Sequence, residues 1–263
     1  AFSKEIKHNQ NTTIEKKFHI LKMFFNCEEV SSIYNKEINS EYAGIIKNKS
    51  IAIVGPGDSN ENTGKEIESF DIIIRTNHTN EKTLDERKYG RRTNIVYFND
   101  GYWVDHKNQV LNLNKAIWKV FKTKKIYDQF LKIKDENDLN TRVIDLTLDN
   151  LSNLSASAHA IPNIIFDIKK FSPKRIKVFN ADQYYHGLNY YKSYQDLRKN
   201  KIFNIELASK ELRLHDPFFG YHLLHNFEKR QIIEMDNFSK VPLSVGEVEF
   251  SKKLDHNFKN LTF

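Results

Sequence analysis

Hydrophobic positions along the chain fall into short β-branched runs, set apart by polar glycine-bearing turns and by stretches of helical spacing. The clearest case is Ser50 to Asn77. Ile51-Ala52-Ile53-Val54 is too short and too β-branched for a helix interior and suits a buried strand. Gly55-Pro56-Gly57-Asp58-Ser59 stops that run as turn chemistry does. The pattern predicts a short helix over 64–69, then a second strand over 71–75 that ends in Arg75-Thr76-Asn77.

The alternation continues. Asn94 to Phe98 reads as a strand ending at Asn99-Asp100, and Ile117 to Phe121, Val143 to Leu146, Ile176 to Phe179 and Gln231 to Met235 read as further strands. Helical spacing is expected over 14–34, 104–112 and 125–133, over Ala158 to Phe171 with Pro173 closing it, and over His215 to Arg230. Residues 186–214, rich in Tyr, Lys and Asn, suggest a lid. The tail from Asn237, with Pro242 and Gly246, reads as irregular.

Strands alternating with helices predict an α/β fold: a single Rossmann-like domain with a mostly parallel sheet flanked by helices. The boundaries read as an N-terminal helical extension over 1–48, a sheet domain over 49–236 that includes the lid, and a tail over 237–263 packing on it. In such open sheets ligands sit in a crevice at the carboxyl ends of the strands. The active site is expected at the stretch 50–77.

Composition narrows the classes. With 39% hydrophobic and 13% aromatic residues among 263, a disordered chain is excluded. The net charge of +7 fits an anionic partner, whether nucleic acid, acidic membrane or a phosphorylated or carboxylated substrate, and it equally fits a lysine-rich surface. The single cysteine, Cys27, excludes an intramolecular disulfide and a cysteine zinc site and favours a reducing compartment. No segment approaches the roughly 18 consecutive apolar residues of a membrane span.

Candidate chemistry gathers at the strand ends. Gly55 and Gly57 let backbone approach a phosphate or sugar closely, or simply make a turn. The turn is neither a Walker loop, since Lys65 is followed by Glu66, nor a dinucleotide fingerprint, since a third glycine is missing. Asn77 and Asn99 follow strands with amides suited to a nucleobase edge or a ribose, although Asn also ends strands for turn reasons. No metal is expected: the histidines form no HExxH, and Asp58, Asp100 and Asp182 lie in separate segments. His215, in Leu214-His215-Asp216-Pro217, opens a predicted helix and can take a proton from an attacking hydroxyl; a lone histidine is also often structural. The run Trp118 to Lys125 would suit an anionic surface or an ordinary edge strand.

As a whole, Ile53 to Asn77 resembles the large sialyl motif of the animal sialyltransferases. The likeness lies in Gly64-Lys65-Glu66-Ile67-Glu68-Ser69-Phe70-Asp71, followed by Arg75 and Asn77, and it continues in Gly90-Arg91-Arg92-Thr93. It is also similar to the bacterial lipo-oligosaccharide sialyltransferases, whose two strand-end asparagines match Asn77 and Asn99. A fainter likeness to the small motif runs from Ser155-Ala156-Ser157 to Asp182-Gln183-Tyr184-Tyr185, and His215 falls where the family has its base. Pro56 stands where an asparagine is usual, the small-motif glycine is missing, and the animal motif cysteines are absent.

The resemblance implies a GT-A-like variant of the sialyltransferase fold and an inverting, metal-independent glycosyltransferase. It would move a 2-keto-3-deoxy sugar acid, of sialic acid or Kdo type, from a CMP-activated donor to a glycan or glycolipid acceptor. His215 would be the general base. Tyr184 and Tyr185 would hold the departing phosphate, and Ser155 and Ser157 would meet the donor carboxylate. Asn77, Asn99 and the turn Gly55, Pro56, Gly57, Asp58 and Ser59 would hold cytidine and ribose, with Arg75, Asp100 and Asp182 also at the donor. No cofactor and no nucleic acid are expected. A cytoplasmic location, peripheral on the inner face of a bacterial inner membrane through contact with anionic lipid, would follow. A different nucleotide-sugar donor, or a non-catalytic module binding anionic glycan or nucleic acid, stand as alternatives.

Overall fold

A computed structural model describes residues 36–78, 84–98, 117–121, 129, 132, 140–143, 160–187 and 217–259. In chain order the elements are α1 (Lys36–Ile46), β1 (Ser50–Val54), α2 (Gly64–Glu68), β2 (Ile72–Thr76), α3 (Glu86–Tyr89), β3 (Ile95–Phe98), β4 (Trp118–Phe121) and β5 (Thr141–Val143). They continue with α4 (Ala160–Lys169), β6 (Arg175–Phe179), α5 (Pro217–Lys229), β7 (Glu234–Met235), α6 (Asn237–Ser244) and α7 (Glu247–Lys259).

The strands form one seven-stranded sheet in the order β5-β4-β3-β2-β1-β6-β7, and every neighbouring pair is parallel. The expected α/β, Rossmann-like architecture is therefore present. Alternation along β1 sends Ile51 and Ile53 to one face and Ala52 and Val54 to the other. The first face is covered by Tyr42 and Ile46 of α1, Ile161, Ile164, Ile165 and Ile168 of α4, and Leu224 and Phe227 of α5. Ile67 of α2 and Tyr89 of α3 pack on the second. Both faces of the central strands are dry, which is why they read as unbroken apolar runs.

A polar group is set into the first face. Asp167 of α4 receives the guanidinium of Arg142 from β5, with Arg142 Nη2 3.0 Å from Asp167 Oδ1. Tyr97 donates to the same carboxylate at 2.6 Å, and its hydroxyl lies 2.8 Å from that of Tyr42. The Arg142 guanidinium lies 4.2 Å from the Tyr42 ring centroid. Burial alone would raise the Asp167 carboxyl, but the guanidinium beside it holds it below the usual carboxylate range. Burial pushes the Tyr97 and Tyr42 hydroxyls up.

Two expectations change. The tail is not irregular: α6 and α7 occupy it. Asp236 caps α6 by accepting from Ser239 N at 2.8 Å, and Pro242 sits within that helix. Gly246, at φ +79, makes the break, and Phe250 N then bonds Gly246 O at 3.0 Å to open α7. Phe250 and Leu254 bury against Tyr221 of α5. The fifth strand begins at Thr141, before the expected Val143, with Lys119 opposite Thr141 and Phe121 opposite Val143, while 144–146 lie outside the described residues. Helix α1, within the expected N-terminal extension, joins the main core through Tyr42 and Ile46. The helices expected over 14–34 and 104–112, nearly all of that over 125–133, and nearly all of the lid lie outside the described residues. No described helix is long and apolar enough to cross a membrane.

Candidate functional site

The chain builds β1 to β5 outward in one direction, then returns to place β6 and β7 on the other side of β1. The order reverses between β1 and β6, the switch point at whose carboxyl ends open α/β sheets bind their ligands. There the glycine turn meets the turn after β6. Gly55 N donates to Phe179 O at 2.8 Å, and Gly57 N to Asn180 O at 3.0 Å. Ser59 Oγ, fully buried, donates to Asn180 Oδ1 at 2.8 Å. A Cβ on Gly57 would fall 2.8 Å from both Asn180 O and Phe238 Cε1. The two glycines are thus required by a neighbouring backbone of the chain itself.

The β6 turn is held in an unusual shape. Asn180, Gln183 and Tyr184 all have positive φ, at 53°, 52° and 66°. Such conformations in non-glycine residues cost on the order of 1 kcal/mol each and persist only where surroundings over-determine them. Here Asp236 Oδ2 accepts from Asn180 N at 2.9 Å and Ser239 Oγ from Ala181 N at 2.8 Å. Asn257 Nδ2 of α7 donates to the carbonyls of Tyr184 and Tyr185 at 3.1 and 2.8 Å. The two C-terminal helices therefore brace the turn. Burial raises the Asp236 carboxyl. Neither Asp236, Ser239 nor Asn257 is among the residues expected from sequence. The N-cap spacing of Asp236 and Ser239 ahead of a hydrophobic run was the available signal.

Within the turn, Asp182 Oδ2 accepts from His186 N at 2.9 Å and lies 3.1 Å from His186 Nδ1. The His186 ring stacks on Phe238 at 4.7 Å and meets Tyr185 edge-on at 5.2 Å. Tyr185 in turn stacks on Phe250 at 6.4 Å. An imidazole with a carboxylate behind one nitrogen is an arrangement used for proton transfer. His186 too was missed by sequence reasoning, which looked only beyond the lid.

Other expected residues serve the frame. Asp58 Oδ1 accepts from Tyr89 OH at 2.8 Å and Lys88 Nζ at 3.1 Å, fastening the glycine turn to α3. Arg75, expected at the donor, gives its Nε to Thr93 Oγ1 at 3.0 Å and one terminal nitrogen to the carbonyls of Tyr89 and Arg92 at 2.7 and 3.2 Å. Glu68 accepts from the backbone of Arg91 and Arg92 and from Arg92 Nε at 2.7 Å. Asp71 accepts from Ser50 N and Oγ at 2.8 and 2.7 Å. The motif residues around Arg75 thus tie β1, β2 and the 89–93 loop together.

Asn77, at φ 48°, is buried at the end of β2 and bonds Tyr97 O through its backbone N at 2.8 Å. Beside it His78 is buried, with Nε2 lacking a hydrogen-bond partner. Burial, then the charge of Arg75, lowers its pKa to about 3, so it is neutral. Gly55, Pro56, Gly57, Asp58 and Ser59, with Asp182, Tyr184 and Tyr185, stand together at the β1–β6 crevice; Asn77 stands at the neighbouring β2 end. Asn99, Asp100, Ser155, Ser157 and His215 lie outside the described residues. Among the described residues no group of three or more His, Cys, Asp or Glu is placed to hold a metal ion.

No family model and no curated protein sequence matches the chain. Among solved structures, the chain is similar to sialyltransferases. The monofunctional alpha-2,3-sialyltransferase Cst-I from Campylobacter jejuni is 14% identical, with 72% of this chain and 74% of that one covered, at a TM-score of 0.49. A mammalian sialyltransferase is 11% identical over 83% of this chain and 84% of its own, also at 0.49. The sialyltransferase CstII from Campylobacter jejuni, in complex with the substrate analogue cytidine-5'-monophosphate, is 12% identical over 71% and 78%, at 0.41.

Proposed function

We propose that the chain is an inverting, metal-independent glycosyltransferase that takes a 2-keto-3-deoxy sugar acid from a CMP-activated donor to a glycan acceptor. The observation that supports it best is the meeting of the glycine turn with the end of β6, which leads into the Asp182–Tyr185 turn, at the β1–β6 switch point. Two segments carrying the motif resemblance are there joined by backbone hydrogen bonds from Gly55 to Phe179 and from Gly57 to Asn180.

In this reading the acceptor hydroxyl attacks the anomeric carbon from the face opposite CMP. The bond from that carbon to the phosphate oxygen breaks, and CMP leaves with the electron pair. His215 takes the hydroxyl proton, and Tyr184 and Tyr185 donate to the phosphate oxygens as charge builds on them. A single-phosphate leaving group held by hydroxyls needs no divalent cation. The +7 charge suits an anionic donor and contact with an anionic membrane face.

A second assignment of the base is favoured by one observation, the Asp182–His186 pair at 3.1 Å. Substituting each histidine separates the two. His215→Ala is expected to abolish transfer while leaving CMP binding nearly intact, and His186→Ala to retain most turnover; the reverse pattern moves the base to His186. The donor is tested by thermal shift with CMP, UDP, GDP and NAD, with and without chelator. CMP alone should stabilise the fold, unaffected by chelator, by RT ln(1 + [L]/Kd). Stabilisation by UDP with Mn²⁺ and none by CMP would remove the reading.

A further inference from the structure

Among the described residues, four buried side-chain nitrogen or oxygen atoms have no hydrogen-bond partner: His78 Nε2, Arg142 Nε, Asn180 Nδ2 and Gln183 Oε1. Arg142 belongs to the core ion pair. The other three follow the carboxyl ends of β2 and β6. Native proteins leave few such groups, because a buried donor or acceptor without a partner has lost water and gained nothing. Two of the three, Asn180 Nδ2 and Gln183 Oε1, share the turn after β6 at the β1–β6 switch point, where a ligand can supply the missing partners.

The chemistry of the β6 pair is complementary. Asn180 Oδ1 accepts from Ser59 Oγ, which orients the amide and leaves the Nδ2 hydrogens without a partner among the described residues. Gln183, three residues on, offers an unused acceptor, Oε1. The backbone at Asn180 and Ala181, from which the turn continues to Gln183, is held by Asp236 and Ser239. One donor and one acceptor suit a planar heterocycle that presents a carbonyl or ring nitrogen beside an amino group. Cytosine does so through O2 and N3 beside the N4 amine. Uracil puts an oxygen acceptor where cytosine has the amine, and would set it against Gln183 Oε1.

We infer that Asn180 and Gln183 read the pyrimidine base of the donor, with Gln183 Oε1 accepting from the cytosine amine and Asn180 Nδ2 donating to a cytosine acceptor. The inference rests on the CMP reading above. It assigns base discrimination to the turn after β6, next to the residues expected at the phosphate.

Calorimetric titration of CMP and UMP into wild type, Gln183→Met and Gln183→Glu tests it. Met keeps the length of the side chain and removes the acceptor; Glu keeps an acceptor and serves as the conservative rescue. Wild type should prefer CMP. Gln183→Met should lose about tenfold or more in CMP affinity, with the CMP-to-UMP ratio falling toward one. Gln183→Glu should keep the preference, and it decides the matter should the Met variant not fold. Asn180→Asp, which retains the acceptor for Ser59 and removes the donor, should weaken CMP by a similar factor. An unchanged CMP-to-UMP ratio in Gln183→Met, or equal loss of both nucleotides, overturns base reading while the donor assignment stands. Failure of wild type to bind CMP overturns the donor assignment itself, and this inference with it.

Discussion

Replacing Gly55 by alanine probes the seam on which the crevice depends. A Cβ there would lie 3.0 Å from Asn180 C and 3.1 Å from Ala181 Cβ, and closer still to Asn180 O. Carbon atoms pack at about 3.5 Å or more, so one turn has to retreat by about 0.5 Å. The obstacle is backbone pinned by Asp236 and Ser239, which cannot swing aside as a flexible side chain would. A retreat of that size stretches the 2.8 Å bond from Gly55 N to Phe179 O out of good geometry. Overpacking of this kind costs about 1–3 kcal/mol and the weakened hydrogen bond about 0.5–1.5 kcal/mol. The expected loss is therefore about 1.5–4.5 kcal/mol, read by urea denaturation with the slope unchanged, together with weaker CMP binding. Gly44→Ala is the control: it lies in α1 with nothing near its Cβ site, and should stabilise by about 0.5–1 kcal/mol. A Gly55→Ala protein within about 0.5 kcal/mol of wild type would refute the claim that the two turns are locked together.

Two further outcomes follow from the buried charges. Arg142→Met leaves Asp167 charged in the core and should cost about 3–5 kcal/mol, whereas Arg142→Met with Asp167→Leu should cost clearly less; equal losses in single and double variants would deny the pairing. His78 has a folded pKa lowered from 6.5 to about 3, so below pH 6.5 the unfolded chain takes up a proton that the folded chain refuses. Stability should then fall toward acid by roughly 1.4 kcal/mol per pH unit, amounting to about 2 kcal/mol at pH 5. His78→Phe should flatten that slope between pH 6.5 and about 3; an unchanged slope would show that His78 is charged or exposed.

The sheet was legible because its strands are covered on both faces, so Ile51 to Val54 and Ile72 to Ile74 announce themselves without any need for alternation. The tail was not, because Pro242 and Gly246 are read as breakers one residue at a time. A capped helix accommodates the first, and the second merely separates two helices. The site was legible in part. Gly55, Gly57 and the Asp182–Tyr185 turn do come together, yet the reason for the glycines is the carbonyl of Asn180. Arg75 and Asp71 stood out as motif members, and with Glu68 they carry a hydrogen-bonded frame joining β1, β2 and the 89–93 loop. Asn180 and Asn257 carry no spacing signal, and the N-cap spacing of Asp236 and Ser239 announces a helix but not a brace, since these residues meet only when β6, β7 and the C-terminal helices are assembled.

The central claim is tested most directly by incubating the protein with CMP-sialic acid or CMP-Kdo, a glycan acceptor and a chelator, and measuring CMP release. Acceptor-dependent release of CMP from one of the two donors, undiminished by the chelator, is the predicted result. No release from either donor, with a nucleoside-diphosphate sugar consumed once Mn²⁺ is supplied, would contradict it.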